Sequence, residues 1–135
     1  MDREECEKKW NAVREENNRY LDLFADSIKG LSPKTVRTHM SNVDFYINEF
    51  LLRQGALGMA AGVEYIDSFL GDFFIRKCLW STPTTIRSTA ASIKKFYKCM
   101  LAHGFIAKGD YDRLCFVIKE EMDVWLEECA TYNVD

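Results

Sequence analysis

A chain of 135 residues and 15.7 kDa is one domain's worth of polypeptide, able to bury roughly two-thirds of its unfolded surface. Hydrophobic residues at 47% and charged residues at 29% exclude a disordered tail, and two prolines with seven glycines argue against a many-turned β-sandwich. The net charge of −3 hides a strong asymmetry. Residues 1–28 hold 8 acids and 5 bases, residues 29–108 hold 5 acids and 11 bases, and residues 109–135 hold 8 acids and 2 bases. A basic middle of net +6 thus lies between ends of −3 and −6. No apolar run approaches the roughly 20 residues of a membrane span, and the start Met-Asp-Arg-Glu-Glu-Cys is charged. The expectation is a cytoplasmic domain with no membrane partner.

Apolar periodicity predicts five helices. The first covers roughly Arg3 to Ile28, with Trp10, Val13, Tyr20, Leu21, Phe24 and Ile28 on one stripe and Gly30 closing it. A second opens at Ser32-Pro33, a good N-cap followed by a proline that the first turn tolerates. It continues through Val36, Met40, Val43, Ile47, Phe50 and Leu51. Gly55 to Gly62 reads as a small-residue loop, and a third helix carries Val63, Ile66, Phe69, Leu70, Phe73 and Phe74. The fourth begins at Thr82-Pro83 and runs through Ile86, Ala90, Ile93, Tyr97, Met100 and Leu101 to Gly104. A fifth, acidic helix spans about 110–131, with Leu114, Ile118, Met122, Trp125 and Cys129 inward. The fold class is all-α, one helical domain over residues 1–135.

Five cysteines (Cys6, Cys78, Cys99, Cys115 and Cys129) show no Cys-x-x-Cys pair and read as small buried hydrophobes. Cys99 and His103 stand one turn apart, but no further ligands accompany them, so no metal is expected. No Gly-rich phosphate loop follows Gly55 and Gly58, and two histidines leave little for acid–base chemistry. No cofactor is expected either.

The second and fourth helices repeat one pattern at an offset of 50 residues. Ser-Pro-Lys-Thr-Val-Arg-Thr at 32–38 aligns with Thr-Pro-Thr-Thr-Ile-Arg-Ser at 82–88, and the apolar positions coincide at 36/86, 40/90, 43/93, 47/97, 50/100 and 51/101. At 100° per residue, Ala91, Lys94 and Lys98 fall within about 40° of Arg87, with Lys95 about 80° round. The equivalent stripe on the second helix is Lys34, Arg37, Ser41 and Asn48, interrupted by Asp44. Thr35, Thr38, Thr84, Thr85 and Ser88 add hydroxyls in the first turns. Any one of these lysines serves merely to keep a helix face wet. The set together, with helix N-termini beside it, suits a phosphate backbone.

On these residues the chain resembles the core-binding, SAM-like N-terminal domain of tyrosine recombinases, the phage integrases and Xer-type recombinases. That family has two helices each opening Ser/Thr-x-x-Thr. Here they are Ser32-x-x-Thr35 with Val43, Tyr46 and Phe50, and Thr82-x-x-Thr85 followed by Ser92-Ile-Lys-Lys-Phe-Tyr97, Leu101 and Gly104-Phe-Ile106. The resemblance covers about residues 15–107. It implies a four- to five-helix bundle of two crossing pairs that clamps one side of double-stranded DNA. The contact residues it implies are Lys34, Thr35, Arg37, Thr38, Thr85, Arg87, Ser88, Lys94, Lys95 and Lys98. A catalytic recombinase domain or other recombinase subunits are the further partners it implies. His39 stands where the family usually has an aromatic, and Ala107-Lys-Gly-Asp110 with an acidic helix replaces the usual Asn-Pro exit.

Family enzymes cut DNA with a tyrosine assisted by arginines and a His-x-x-Arg motif. Neither His39-Met-Ser-Asn42 nor His103-Gly-Phe-Ile106 fits, and Tyr132 lacks a set of cations around it. The chain is therefore expected to bind DNA without cleaving it, as an excised domain or a free-standing relative. The other expectation is a helical protein-interaction or regulatory domain that kept the scaffold but not DNA. The acidic ends, Asp44 and Glu49 favour that second expectation. In it, the −6 tail covers the basic face or meets a partner.

Overall fold

Asp2 accepts the Glu5 amide at 2.8 Å and so starts helix α1, Arg3–Ser27, with Glu4 and Glu5 at the positive end of its dipole. The computed structural model describes residues 2–132, and residue 1 and residues 133–135 of the expected domain lie outside it. Among the described residues there is no strand. α1 ends at Ile28, whose amide bonds back to Phe24 and Ala25. Gly30, expected as the closing glycine, has no left-handed φ.

Ser32 caps the next rod, helix α2 over residues 33–53. It is built end to end from Pro33–Asp44, a π-helical stretch Phe45–Phe50 and a last turn Leu51–Arg53. Met59–Glu64 forms a 3₁₀ turn, so Val63 belongs there and not to the helix after it, contrary to expectation. Helix α3 over 66–77 has the same composite build, with Ile66–Ser68, a π stretch Phe69–Phe73 and Phe74–Lys77. Helix α4 is Pro83–Ala102 and helix α5 is Lys108–Tyr132. α4 closes on a complete Schellman motif: Gly104 has φ 78°, its amide donates to Leu101, and the Phe105 amide donates to Met100 at 2.9 Å.

α2 packs on α4, α1 lies against both, and α5 packs along α4 and onto α3. The buried residues of all five helices join in one core. Where the two π stretches meet, Phe45, Tyr46 and Phe50 of α2 pack on Phe69 and Phe73 of α3 with ring centroids 4.8–6.4 Å apart. A π turn bonds i to i+5, yet Ile47, Phe50 and Leu51 stay buried at the places the apolar spacing gives them. Asn48 leaves the solvent stripe expected for it because Asn17 and Asn18 of α1 pack over it. Asn48 is buried, its amide oxygen accepting from Asn17 Nδ2 at 3.0 Å and its Nδ2 donating to Asp44 Oδ1 at 2.7 Å.

Two glycines are required by close approach. A Cβ on Gly62 would sit 2.1 Å from the Tyr97 hydroxyl, and one on Gly71 would sit 2.7 Å from Trp125 Nε1. Trp125 Nε1 itself donates to Asp67 Oδ1 at 2.7 Å, fixing α5 onto α3.

Candidate nucleic-acid interface

The two repeated helix starts form as their sequences dictate. In α2, the Thr35 amide donates to Ser32 Oγ at 3.2 Å, and Ser32 Oγ donates to Thr35 Oγ1 at 2.8 Å. In α4 a full capping box links Thr82 and Thr85, whose amides each bond to the other's hydroxyl at 2.8 and 3.0 Å. Thr85 Oγ1 also lies 2.9 Å from the Trp80 carbonyl, and Thr38 Oγ1 donates to the Lys34 carbonyl at 3.1 Å. These hydroxyls hold the helix ends, which leaves less of them for a ligand than the sequence implied. Ser88 is half-buried, its carbonyl accepting from Ser92 Oγ at 3.1 Å.

Asn42 and Ser92 occupy equivalent places in the repeat, and the two helices touch where they meet. Ser92 Oγ accepts from Asn42 Nδ2 at 3.0 Å and lies 2.7 Å from His39 Nδ1. From this contact the directions of the two arginines follow. At 100° per residue, Arg37 is about 160° round α2 from His39, and Arg87 about 140° round α4 from Ser92. Each lies on the side of its helix away from this contact, so the contact does not bring the two arginines together. Lys34, Arg37 and Arg87 are all exposed.

What the fold does bring together lies along α4. Lys94, Lys95 and Lys98 line one shallow depression of about 380 Å³ with His39 of α2, Ala91 and Tyr111 of α5. All three lysines are exposed. Burial first, and Lys95 second, hold the His39 imidazole below its ordinary pKa, so the ring is neutral near pH 7. Burial, followed by a bond to Cys115, pushes Tyr111 up to about 12, leaving a neutral phenol at the rim.

Ion pairs leave out this set, and among the described residues they also leave out Arg3, Lys8, Lys9, Arg14, Arg19, Lys77 and Lys119, so what marks the α4 lysines is that three of them line one depression. Lys29, Arg53, Arg76, Lys108 and Arg113 are in ion pairs. Among the described residues Lys34, Arg37, Arg87, Lys94, Lys95 and Lys98 are in none. Nor does any acid of α5 pair with a lysine of α4 among the described residues, so the acidic helix makes no salt bridge to the basic face. An exposed ammonium without a carboxylate pays no exchange cost when it takes a phosphate.

His39, Ser92 and Tyr111 were not assigned to the site from sequence. Polar residues at the equivalent positions 42 and 92 of the repeat were the available signal. Among the described residues, no group of three or more His, Cys, Asp or Glu is gathered as for a metal ion. Cys99 is buried with its thiol toward the Leu23 carbonyl, while His103 is exposed and stacks on Phe105. No helix among the described residues is long and apolar enough to cross a membrane. No family model matches the chain, and no curated protein or solved structure matches it.

Proposed function

We propose that the chain binds duplex DNA through its phosphates, with α4 as the principal contact, in the manner of the core-binding domain of a tyrosine recombinase. The observation that carries this reading is the row Lys94, Lys95 and Lys98, exposed and in no ion pair among the described residues. Three ammonium groups on one flank of a helix track a phosphate backbone and read no sequence by themselves. The α4 N-terminus, with Arg87 and the Thr85 turn, extends the contact along the same rod. Lys34, Arg37 and the Thr35–Thr38 turn of α2 form a separate, weaker contact. The role is site-specific recombination or integration, as a binding domain whose cleavage chemistry resides in a separate catalytic domain.

The test is anisotropy of a labelled duplex titrated with the full chain at two salt concentrations. Micromolar-scale binding that weakens as salt rises supports the reading. No binding at low salt removes it. The second reading is a helical protein-interaction domain, favoured by one observation: Phe116 and Val124 stand exposed on an acidic face of α5.

A further inference from the structure

α5 has two faces. Leu114, Ile118, Trp125 and Cys129 are buried, whereas Phe116 and Val124 are 63% and 46% exposed. At 100° per residue, Phe116, Glu120, Asp123, Val124 and Glu127 fall within about 100° of one another. Isolated exposed hydrophobics need no explanation, but two of them set among carboxylates on one helix face form an apolar centre with a charged rim. Beside Phe116 runs a cleft of about 290 Å³ between α5 and the segment 63–67. Val63, Ile66 and Phe116 give it apolar walls, and Glu64, Glu120 and Glu121 give it acid edges. Arg113 pairs with Glu64, while Glu120 and Glu121 are in no ion pair among the described residues.

Such a cleft fits a lysine side chain, whose methylene stem lies on apolar surface while its ammonium reaches the carboxylates. The chain supplies the complement itself. Residues 29–108 carry net +6 and residues 109–135 net −6. Among the described residues Lys94, Lys95 and Lys98 of α4 and Glu120, Glu121, Asp123, Glu127 and Glu128 of α5 are all in no ion pair, whereas Asp110 and Asp112 at the start of α5 are paired. We propose that the acidic outer face of α5 docks onto the Lys94–Lys95–Lys98 face of a second copy of this chain. The two surfaces are different, so the contact is head-to-tail and each copy offers one of each. It is electrostatic in origin and weakens with salt.

Sedimentation equilibrium of the full chain tests this at about 20 mM and about 300 mM salt, where the screening length falls from roughly 20 Å to about 6 Å. The expected result is an average mass that climbs above the 15.7 kDa monomer with concentration at low salt and returns toward it at high salt. Reversing the acidic face with Glu120→Lys and Glu127→Lys gives a monomer, as does reversing the basic face with Lys94→Glu and Lys98→Glu. Each variant is checked for wild-type helical circular dichroism. Mixed at equal concentration, the two variants associate again, because the basic α4 face of one meets the acidic α5 face of the other and the two reversed faces complement each other as well. Wild type that stays monomeric at low salt, or variants that fail to pair on mixing, overturns the proposal. The DNA reading is judged separately, because the acid-reversed variant keeps every α4 lysine.

Discussion

Replacing Gly62 with alanine forces a methyl group into the space of Tyr97. The new Cβ would lie 2.1 Å from the Tyr97 hydroxyl, 2.8 Å from Leu51 Cδ1 and 3.1 Å from Tyr46 Cε2. Gly62 has no positive φ, so the backbone accepts alanine and the whole cost is steric. Leu51 can shift a methyl, but Tyr97 is fully buried and its hydroxyl donates to the Met59 carbonyl at 2.6 Å. Tyr46 is likewise tied, donating to the Gly62 carbonyl at 2.6 Å. Overpacking of this kind costs about 1–3 kcal/mol, and a buried carbonyl stripped of its donor costs about 1–3 kcal/mol more. The expected loss is about 4 kcal/mol, a large share of the roughly 5–15 kcal/mol that holds a domain folded. Thermal melts should then fall by about 10–20 °C. Urea titration of Gly62→Ala, Tyr97→Phe and the double variant closes a cycle. The alanine should cost at least about 1 kcal/mol less when the hydroxyl is already gone. A loss under about 1 kcal/mol for Gly62→Ala, or one indifferent to Tyr97, refutes the packing described for the centre of the molecule.

Asn48→Ala should destabilise by about 2–3 kcal/mol in urea, because it strips Asn17 of a buried partner; a surface-like change under about 0.5 kcal/mol would place Asn48 back on the solvent stripe and reject the packing of α1 over it. The folded His39 has a pKa below 6.5, from burial first and Lys95 second, so the unfolded chain takes its proton first. Its contribution to stability is therefore complete above about pH 6.5 and is lost as the pH falls through the folded value. Imidazole NMR should show that low midpoint, with Lys95→Ala raising it only partway; a midpoint at or above 6.5 in wild type contradicts the geometry. Thr82→Ala should cost about 0.5–2 kcal/mol of stability, since it removes one arm of the α4 capping box; no measurable loss would mean that box is not formed.

The order and most boundaries of the five long helices were legible because caps and apolar spacing are local signals, whereas the 3₁₀ helix Met59–Glu64 was expected as a loop running into the third helix. Ser32-Pro33 and Thr82-Pro83 start their helices as read, and the 43/93 and 47/97 core pairs are all buried. The two π stretches were not legible. An extra residue in a turn is favoured only because Phe45, Tyr46 and Phe50 meet Phe69 and Phe73 across the core, a long-range contact that no window of sequence contains. Nor was the burial of Asn48 legible, because the side chains over it, Asn17 and Asn18, lie about thirty residues back in α1. The cations of the repeat were recognisable from their spacing, and their exposure agrees with it. The relation between the two helices was not recognisable, because equivalent positions on two packed helices need not face the same way. The helices meet at Asn42 and Ser92, and that leaves Arg37 and Arg87 on the sides away from the contact.

The sharpest test of the account compares wild type with Lys94→Ala, Lys95→Ala, Lys98→Ala in one chain, and with Arg37→Ala, Arg87→Ala in another. Each is titrated into a short labelled duplex across a salt series. The triple lysine variant should lose at least about tenfold in affinity, and its plot of log affinity against log salt should be shallower by about 2–3, while the arginine pair loses less. A triple variant that keeps the wild-type affinity and slope would contradict the claim that α4 is the DNA-binding face.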